Sequence, residues 1–271
     1  MFNKQNLHTH TKYCDGKLTT EEMVIAAIKN GCESLGFSGH TYTSFDLDYC
    51  MSTENTFSYF QEIKLLKVKY SSDIELFAGI EQDYYADEFL GDVDYIIGSV
   101  HWIKKGDEFI SVDGDANDFR MAAETRYSGD YYAIAEDYYR TISDVVRKTN
   151  ADIVGHFDIV SKFNIDGSLF DETHPRYLDA AFSAMDEILK KHKLFEVNTR
   201  AIYHLGKPEP YPKALLLREM CKRGAEIVIS SDSHEGESIC SRYSEMRELL
   251  KSCGFRFIKQ LTRDGFIDVP L

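Results

Sequence analysis

The chain has 271 residues, with 31 Lys and Arg against 45 Asp and Glu for a formal charge of −14 at pH 7, and is 43% apolar and 28% charged. That length buries a sizeable core, and 17 Gly with 5 Pro are too few for a collagen-like or low-complexity chain. An acidic surface repels a phosphate backbone, which excludes general nucleic-acid binding through a basic face but not capture of a small anion.

The N-terminal MFNKQNLHTH has no apolar signal-peptide core, and no apolar run approaches the ~20 residues that span a bilayer, so a cytoplasmic location without membrane contact is expected. In chain order, an extended segment around Leu7 precedes a helix that opens with Thr19 and Glu22 at capping-box spacing and stops at Gly31. An apolar run at 34–37, helical spacing at 53–70 and further apolar runs at 74–80 and 93–100 follow. Residues 101–130 break the alternation with clusters of Gly, Asp and Asn and little period. In a barrel, an insertion after the fourth strand lies at the face that carries active sites, so this segment is either a substrate-covering loop or a surface excursion. Beyond it, helical spacing at 130–149, 175–192, 212–223 and 242–252 alternates with strand candidates at 151–155, 193–198 and 225–230, the third helix opening at Pro212. Seven strand candidates at about 39 residues each predict an α/β fold, a closed or nearly closed parallel (β/α)7 TIM-like barrel forming a single domain over 1–271. The six cysteines (14, 32, 50, 221, 240 and 253) form no C-x-x-C pair and are expected to be reduced, mostly buried thiols.

Six of the nine histidines stand directly at strand ends: His8, His10, His40, His101, His156 and His234. Asp15, Glu81 and Asp232 share that placement. In a parallel barrel all strand ends of one polarity point to one rim, so these side chains converge on one bowl. A lone strand-end His is ordinarily a hydrogen-bonded polar residue. Six with three carboxylates in one concavity repel or stay unsatisfied unless cations neutralise them, and imidazole with carboxylate and no thiolate suits Zn, Mn or Fe. His8-x-His10 and Asp232-x-His234 each place both side chains on one face of an extended segment, within reach of one site. His174, His192 and His204 stand in ordinary loop and helix-end contexts.

The motifs N-L-H-T-H…D-G, S-G-H, G-I-E, G-S-V-H, G-H-F-D and S-S-D-S-H occur in that order. The chain thereby resembles the polymerase and histidinol phosphatase family of metal-dependent phosphoesterases, which have a distorted seven-stranded (β/α) barrel. Its length and the runs G-S-V-H-W (98–102) and E-V-N-T-R (196–200) resemble the branch that hydrolyses histidinol phosphate in histidine biosynthesis. The resemblance implies three divalent ions: His8, His10, Glu81 and Asp232 on the first, Glu81, His101 and His156 on the second, and Asp15, His40 and His234 on the third. At S-G-H the residue before His40 is Gly39, where many relatives have an Asp that would orient the imidazole.

The chemistry implied is hydrolysis of a small phosphate monoester by a metal-bridging hydroxide, with Glu81 and Asp232 holding the reactive ions. Arg200, at the same rim, is a candidate for binding phosphoryl oxygens in two-pronged fashion, and Arg126 in the insertion is a weaker one. Tyr42, Trp102 and Asp83 follow strand ends beside candidate ligands and are open to substrate contact or to packing and support. Competing readings are a nuclease or nucleotide phosphatase of the same family, disfavoured by the acidic charge, and an inactive metal-stabilised barrel, disfavoured by the full ligand set. An amide hydrolase on a similar barrel would usually show a metal-bridging strand-end Lys, which is missing from every strand candidate.

Overall fold

A computed structural model describes residues 4–89 and 91–271. Seven parallel strands form one sheet in the order β1 (Lys4–Asn6), β2 (Cys32–His40), β3 (Glu75–Asp83), β4 (Tyr95–Ser99), β7 (Ile153–Val154), β8 (Leu194–Asn198) and β9 (Glu226–Ser230). The sheet curls into a nearly closed barrel. Its edges meet where Thr9 pairs with Ser233, through His10 N–H to Ser233 C=O (2.8 Å) and Ser233 N–H to His8 C=O (3.0 Å).

The helices pack outside: α1 (Thr20–Lys29), α2 (Thr53–Lys69), α4 (Tyr131–Ile142), α5 (Val145–Thr149), α6 (Pro175–Leu189), α8 (Ala214–Lys222) and α9 (Tyr243–Cys253), with the short α7 (Arg200–Leu205) after β8. α1 carries the expected capping box, Thr19 accepting from Glu22 N–H while the Glu22 carboxylate accepts from Thr19 N–H. The 130–149 stretch is two helices, because Ser143 and Asp144 turn the chain. Pro212 lies outside its helix: Lys213 is the N-terminal cap and the helix starts at Ala214.

The 101–130 segment is regularly folded: an antiparallel hairpin of β5 (Trp102–Lys105) and β6 (Glu108–Ser111) runs into α3 (Ala116–Tyr127). Gly106 takes the left-handed conformation the tight turn requires, and Asp115 caps α3 by accepting from Asn117 and Asp118 N–H. All six cysteines are free thiols, with Cys32 and Cys240 side by side.

The barrel interior is filled by a small apolar cluster of Leu7, Phe77, Tyr95, Ile97, Ile153, Leu194, Val228 and Leu261. Leu261 belongs to a terminal hairpin, β10 (Phe257–Thr262) with β11 (Gly265–Pro270). Gln5 holds it as a neighbouring strand would, its side-chain amide donating to Leu261 C=O (2.8 Å) and accepting from Leu261 N–H (2.7 Å). Tyr95 crosses the interior to donate to the carbonyls of Leu7 (2.5 Å) and Phe37 (2.9 Å). It fits because positions 36 and 79 are glycines, where a Cβ would collide with the ring.

Candidate metal centre

Side chains of a strand repeat every two residues, so each inward row can be read from bottom to top. Phe77 leads through Gly79 to Glu81, Tyr95 through Ile97 to Ser99, Leu194 through Glu196 to Asn198, and Val228 through Ser230 to Asp232. Each row is apolar below and polar above. The result is a polar bowl on an apolar plug, at the C-terminal ends of the strands.

Glu81 sits at the middle of the bowl. Its Oε2 lies 3.1 Å from His8 Nε2, 3.1 Å from His40 Nδ1 and 3.5 Å from His10 Nε2. Its Oε1 lies 3.0 Å from His156 Nε2 and 3.4 Å from His101 Nε2, two nitrogens that are themselves 3.2 Å apart. Asp232 Oδ1 stands 3.3 Å from His10 Nε2 and 3.7 Å from His8 Nε2. On the outer side, Asp15 Oδ2 meets His234 Nε2 at 2.8 Å and Asp15 Oδ1 lies 3.8 Å from His40 Nε2. The structure therefore brings together all nine strand-end residues singled out in the sequence. Three sets have donor atoms within 4.8 Å of one another: His8, His10 and Asp232; His40, Glu81 and His101; and His10, Asp15, His40 and His234.

A supporting shell holds this set. Glu196, fully buried on β8, accepts from His8 Nδ1 (2.5 Å), His156 N–H (2.7 Å), Asn198 Nδ2 (3.1 Å) and the Ser230 hydroxyl. Asp83 accepts the His101 N–H at 2.7 Å and lies 3.3 Å from its Nδ1, and Ser99 donates to Glu81 Oε1 at 2.5 Å. Asp232 adopts a left-handed backbone (φ 46°), a conformation that Asp tolerates and that turns its carboxylate toward His10. Gly39 faces the other way: a Cβ there would meet Met51 and Tyr59 behind the strand.

The electrostatics show a donor set suited to cations. Burial works against charge on His8, yet Glu196, Asp232 and Glu81 hold its pKa well above the ordinary value. Burial, reinforced by His234 and His40, pushes its neighbour His10 down to about 3. His101 is raised to about 10, against its burial, by Asp113, Glu81 and Asp83. Despite their own burial, Glu81 and Asp232 are held well below the carboxylate range, His8 acting most strongly on both. Buried carboxylates can stay charged here only while some imidazoles carry protons, and divalent ions would replace those protons. His10 Nε2 is buried without a hydrogen-bond partner among the described residues, as a nitrogen reserved for a metal would be.

Above the bowl lies a cavity of about 690 Å³ whose floor includes Asp15, His40, Glu81, His101, Asp232 and His234. Its size is that of a small-molecule site. Arg200 lines it, Nη1 donating to Asp232 C=O (3.1 Å) and His234 Nδ1 (2.7 Å), beside the outermost donor set. Trp102 lines it as well, and so does Arg126, although its guanidinium is paired with Glu108 at the rim. Tyr42 is not among the lining residues; Tyr49 takes that place, its ring edge-on to His40 at 4.9 Å. Asp83 is buried under His101, which makes it a support rather than a substrate contact. Phe45 of the β2–α2 loop stacks flat on Phe109 of β6 at 4.0 Å and edge-on to Trp102 at 5.5 Å, joining two loops across the mouth.

A family model described as PHP domain matches residues 6–200. The chain belongs to the PHP domain family. Among curated proteins, this PHP chain is 27% identical over 262 residues to a probable histidinol-phosphatase of Deinococcus radiodurans, covering 93% of this chain and 94% of that protein. It is 25% identical over 270 residues to a histidinol-phosphatase of Bacillus subtilis, covering 90% and 98%. Among solved structures, its fold is similar to that of a histidinol phosphate phosphatase from Lactococcus lactis complexed with Zn, L-histidinol and phosphate, at TM-score 0.71 and 22% identity over 98% of this chain and 99% of that one.

Within this PHP chain, Glu196 and Tyr49 are the site residues that strand-end reasoning passed over. Glu196 left a signal, a lone carboxylate in the middle of a strand whose other residues before Asn198 are apolar. Tyr49 left none, because its position depends on how the β2–α2 loop folds back over His40.

Proposed function

We propose that the protein is a single-domain, cytoplasmic, metal-dependent phosphatase that hydrolyses L-histidinol phosphate to L-histidinol and phosphate in histidine biosynthesis. The observation that carries this reading is the convergence of nine imidazole and carboxylate donors around Glu81, with Arg200 beside them. The names of relatives matched over nearly their whole length support the substrate.

The donors fit three divalent ions: His8, His10, Asp232 and Glu81 for the first, Glu81, His101 and His156 for the second, and Asp15, His40 and His234 for the third. Zinc suits this donor chemistry, as do manganese and iron. When bound, such ions polarise phosphoryl oxygens and make water acidic enough to be a nucleophile near neutral pH, in a reaction whose barrier must fall by more than about 20 kcal/mol. Glu81 presents one oxygen beside His8 and the other beside His156, so it would be a ligand common to both inner ions. Glu196 and Asp83 fix the orientation of His8 and His101. Arg200 presents a guanidinium for the charge that spreads over the phosphoryl oxygens. The ring contacts of Phe45 with Phe109 and Trp102 tie the β2–α2 loop to the insertion hairpin beside the cavity.

The test is to incubate the zinc-loaded protein with histidinol phosphate, AMP and a dinucleotide diester and to measure released phosphate and mononucleotide. Release chiefly from histidinol phosphate is expected, and cleavage of the diester alone would overturn the reading. Metal analysis of the same sample should give three ions per chain; one ion after repletion contradicts the ligand assignment.

A further inference from the structure

The run E-V-N-T-R (196–200) holds one residue that the phosphatase chemistry has not used. Asn198, fully buried at the end of β8, stands between the two arms of the site, the Asp232 carboxylate on one side and the Arg200 segment on the other. Its backbone is held by two hydrogen bonds to Tyr211, so the side chain projects from a fixed point. The amide nitrogen Nδ2 donates to Glu196 Oε2 and to Asp232 Oδ2, each at 3.1 Å. The amide oxygen accepts the Arg200 N–H at 2.9 Å. Both ends of the amide are matched, donor toward carboxylates and acceptor toward N–H, which decides the way it faces.

These bonds give the two oxygens of Asp232 different work. With Oδ2 on Asn198, Oδ1 is the oxygen turned to the imidazoles, 3.3 Å from His10 Nε2, 3.5 Å from His234 Nδ1 and 3.7 Å from His8 Nε2. At the other end, the bond to Arg200 N–H closes a tight turn from residue 198 to residue 200, where Thr199 makes no side-chain cap for the short α7. The Arg200 side chain then comes back to the same place, Nη1 donating to Asp232 C=O. Asn198, Asp232 and Arg200 are thus joined in a closed ring of hydrogen bonds.

We propose that Asn198 is a positioning residue that sets the metal-facing oxygen of Asp232 and the guanidinium of Arg200 relative to one another, through the two ends of one amide. This assignment rests on the phosphatase reading above, which gives Asp232 and Arg200 their work, and adds what holds them in register. The residue type follows from the double task. An Asp has no donor for the two carboxylates, a Leu has neither donor nor acceptor, and a Gln is one methylene too long. A Ser can close the same turn to the N–H two residues on, but its hydroxyl stops one bond short of Asp232.

The experiment measures zinc affinity by chelator competition, and binding of inorganic phosphate to the zinc-saturated protein by calorimetry. The proteins are wild type, Asn198→Ala, Asn198→Ser, Arg200→Ala and the double variant Asn198→Ala/Arg200→Ala. Asn198→Ala should weaken zinc about 10- to 100-fold, the scale for removing a group that orients a metal ligand. It should also weaken phosphate, by no more than Arg200→Ala does, and the double variant should bind phosphate no worse than Arg200→Ala alone. Asn198→Ser should recover phosphate affinity without recovering zinc affinity. Zinc affinity within twofold of wild type in Asn198→Ala overturns the inference, as do phosphate losses that multiply in the double variant, which general loosening of the site would give. Recovery of both affinities or of neither in Asn198→Ser also overturns it, and so does loss of the fold in both single variants, which would make the residue a structural one. None of these readouts needs turnover: if histidinol phosphate is not hydrolysed while the affinities follow the expected pattern, the histidinol reading falls and the role of Asn198 stands.

Discussion

Replacing Glu196 by Gln probes the shell that holds the metal centre without changing its shape. Both carboxylate oxygens are acceptors: Oε1 receives the His8 imidazole and the Ser230 hydroxyl, and Oε2 receives the His156 N–H and the Asn198 amide. A Gln has one oxygen and one NH2. With its NH2 toward the His156 N–H and the Asn198 amide, donors meet donors; turned the other way, the NH2 faces the proton on the His8 imidazole and a Ser230 hydroxyl that must reverse. Leaving two such groups unmatched costs about 2–6 kcal/mol, at 1–3 kcal/mol each. For a chain of this size that lowers Tm by roughly 5–20 °C, with two to four degrees per kcal/mol. His8 also loses the charge that fixes its orientation, so zinc affinity should fall about 10- to 100-fold. Thermal melts of the metal-stripped protein report the first effect, and competition against a chromogenic zinc chelator reports the second. A Glu196→Gln protein that melts within a degree of wild type and holds zinc equally well would refute the reasoning.

Arg200→Ala should lower kcat on a phosphate monoester by about 100- to 1,000-fold, the scale for losing one donor to developing charge; steady-state kinetics with parallel metal analysis will show whether the loss occurs at full metal content. Because His8 is held well above its ordinary pKa and His101 near 10, both carry protons at pH 7 until a metal takes their lone pairs, so loading must release protons and apparent affinity must rise with pH. Calorimetry in buffers of different ionisation enthalpy measures that release, and a binding heat independent of the buffer would contradict it. Gly79→Ala drives a methyl into the Tyr95 ring and should destabilise the fold by about 1–3 kcal/mol, visible as a lower Tm at unchanged metal stoichiometry.

Strand order and the placement of the metal donors were legible because both follow from one regularity. A short apolar run ending in His, Glu or Asp is a barrel strand reaching its functional rim, and no tertiary information is needed to see that six such runs must converge. The insertion was less legible because its order comes from capping and a two-residue turn rather than from apolar period, although K-G-D-E and Asp115 carried those signals. Tyr42 and Tyr49 differ by seven residues in one loop, and only the folded path shows which of them overlooks His40. Glu196 reads as one more polar residue until its four donors are seen arriving from His8, His156, Asn198 and Ser230.

The seam of the barrel gives the ligand arrangement a mechanical meaning. β1 and β9 meet through little more than the Thr9 and Ser233 pairing, and His8 and His10 stand on one lip of that join with Asp232 and His234 on the other. An ion held by both lips would fasten segments from opposite ends of the polypeptide, as a buckle closes a belt. Catalytic competence and closure of the fold then depend on the same bonds, and stripping the metal should first free the amide hydrogens of residues 8–10 and 231–234 to exchange, while the outer helices stay protected.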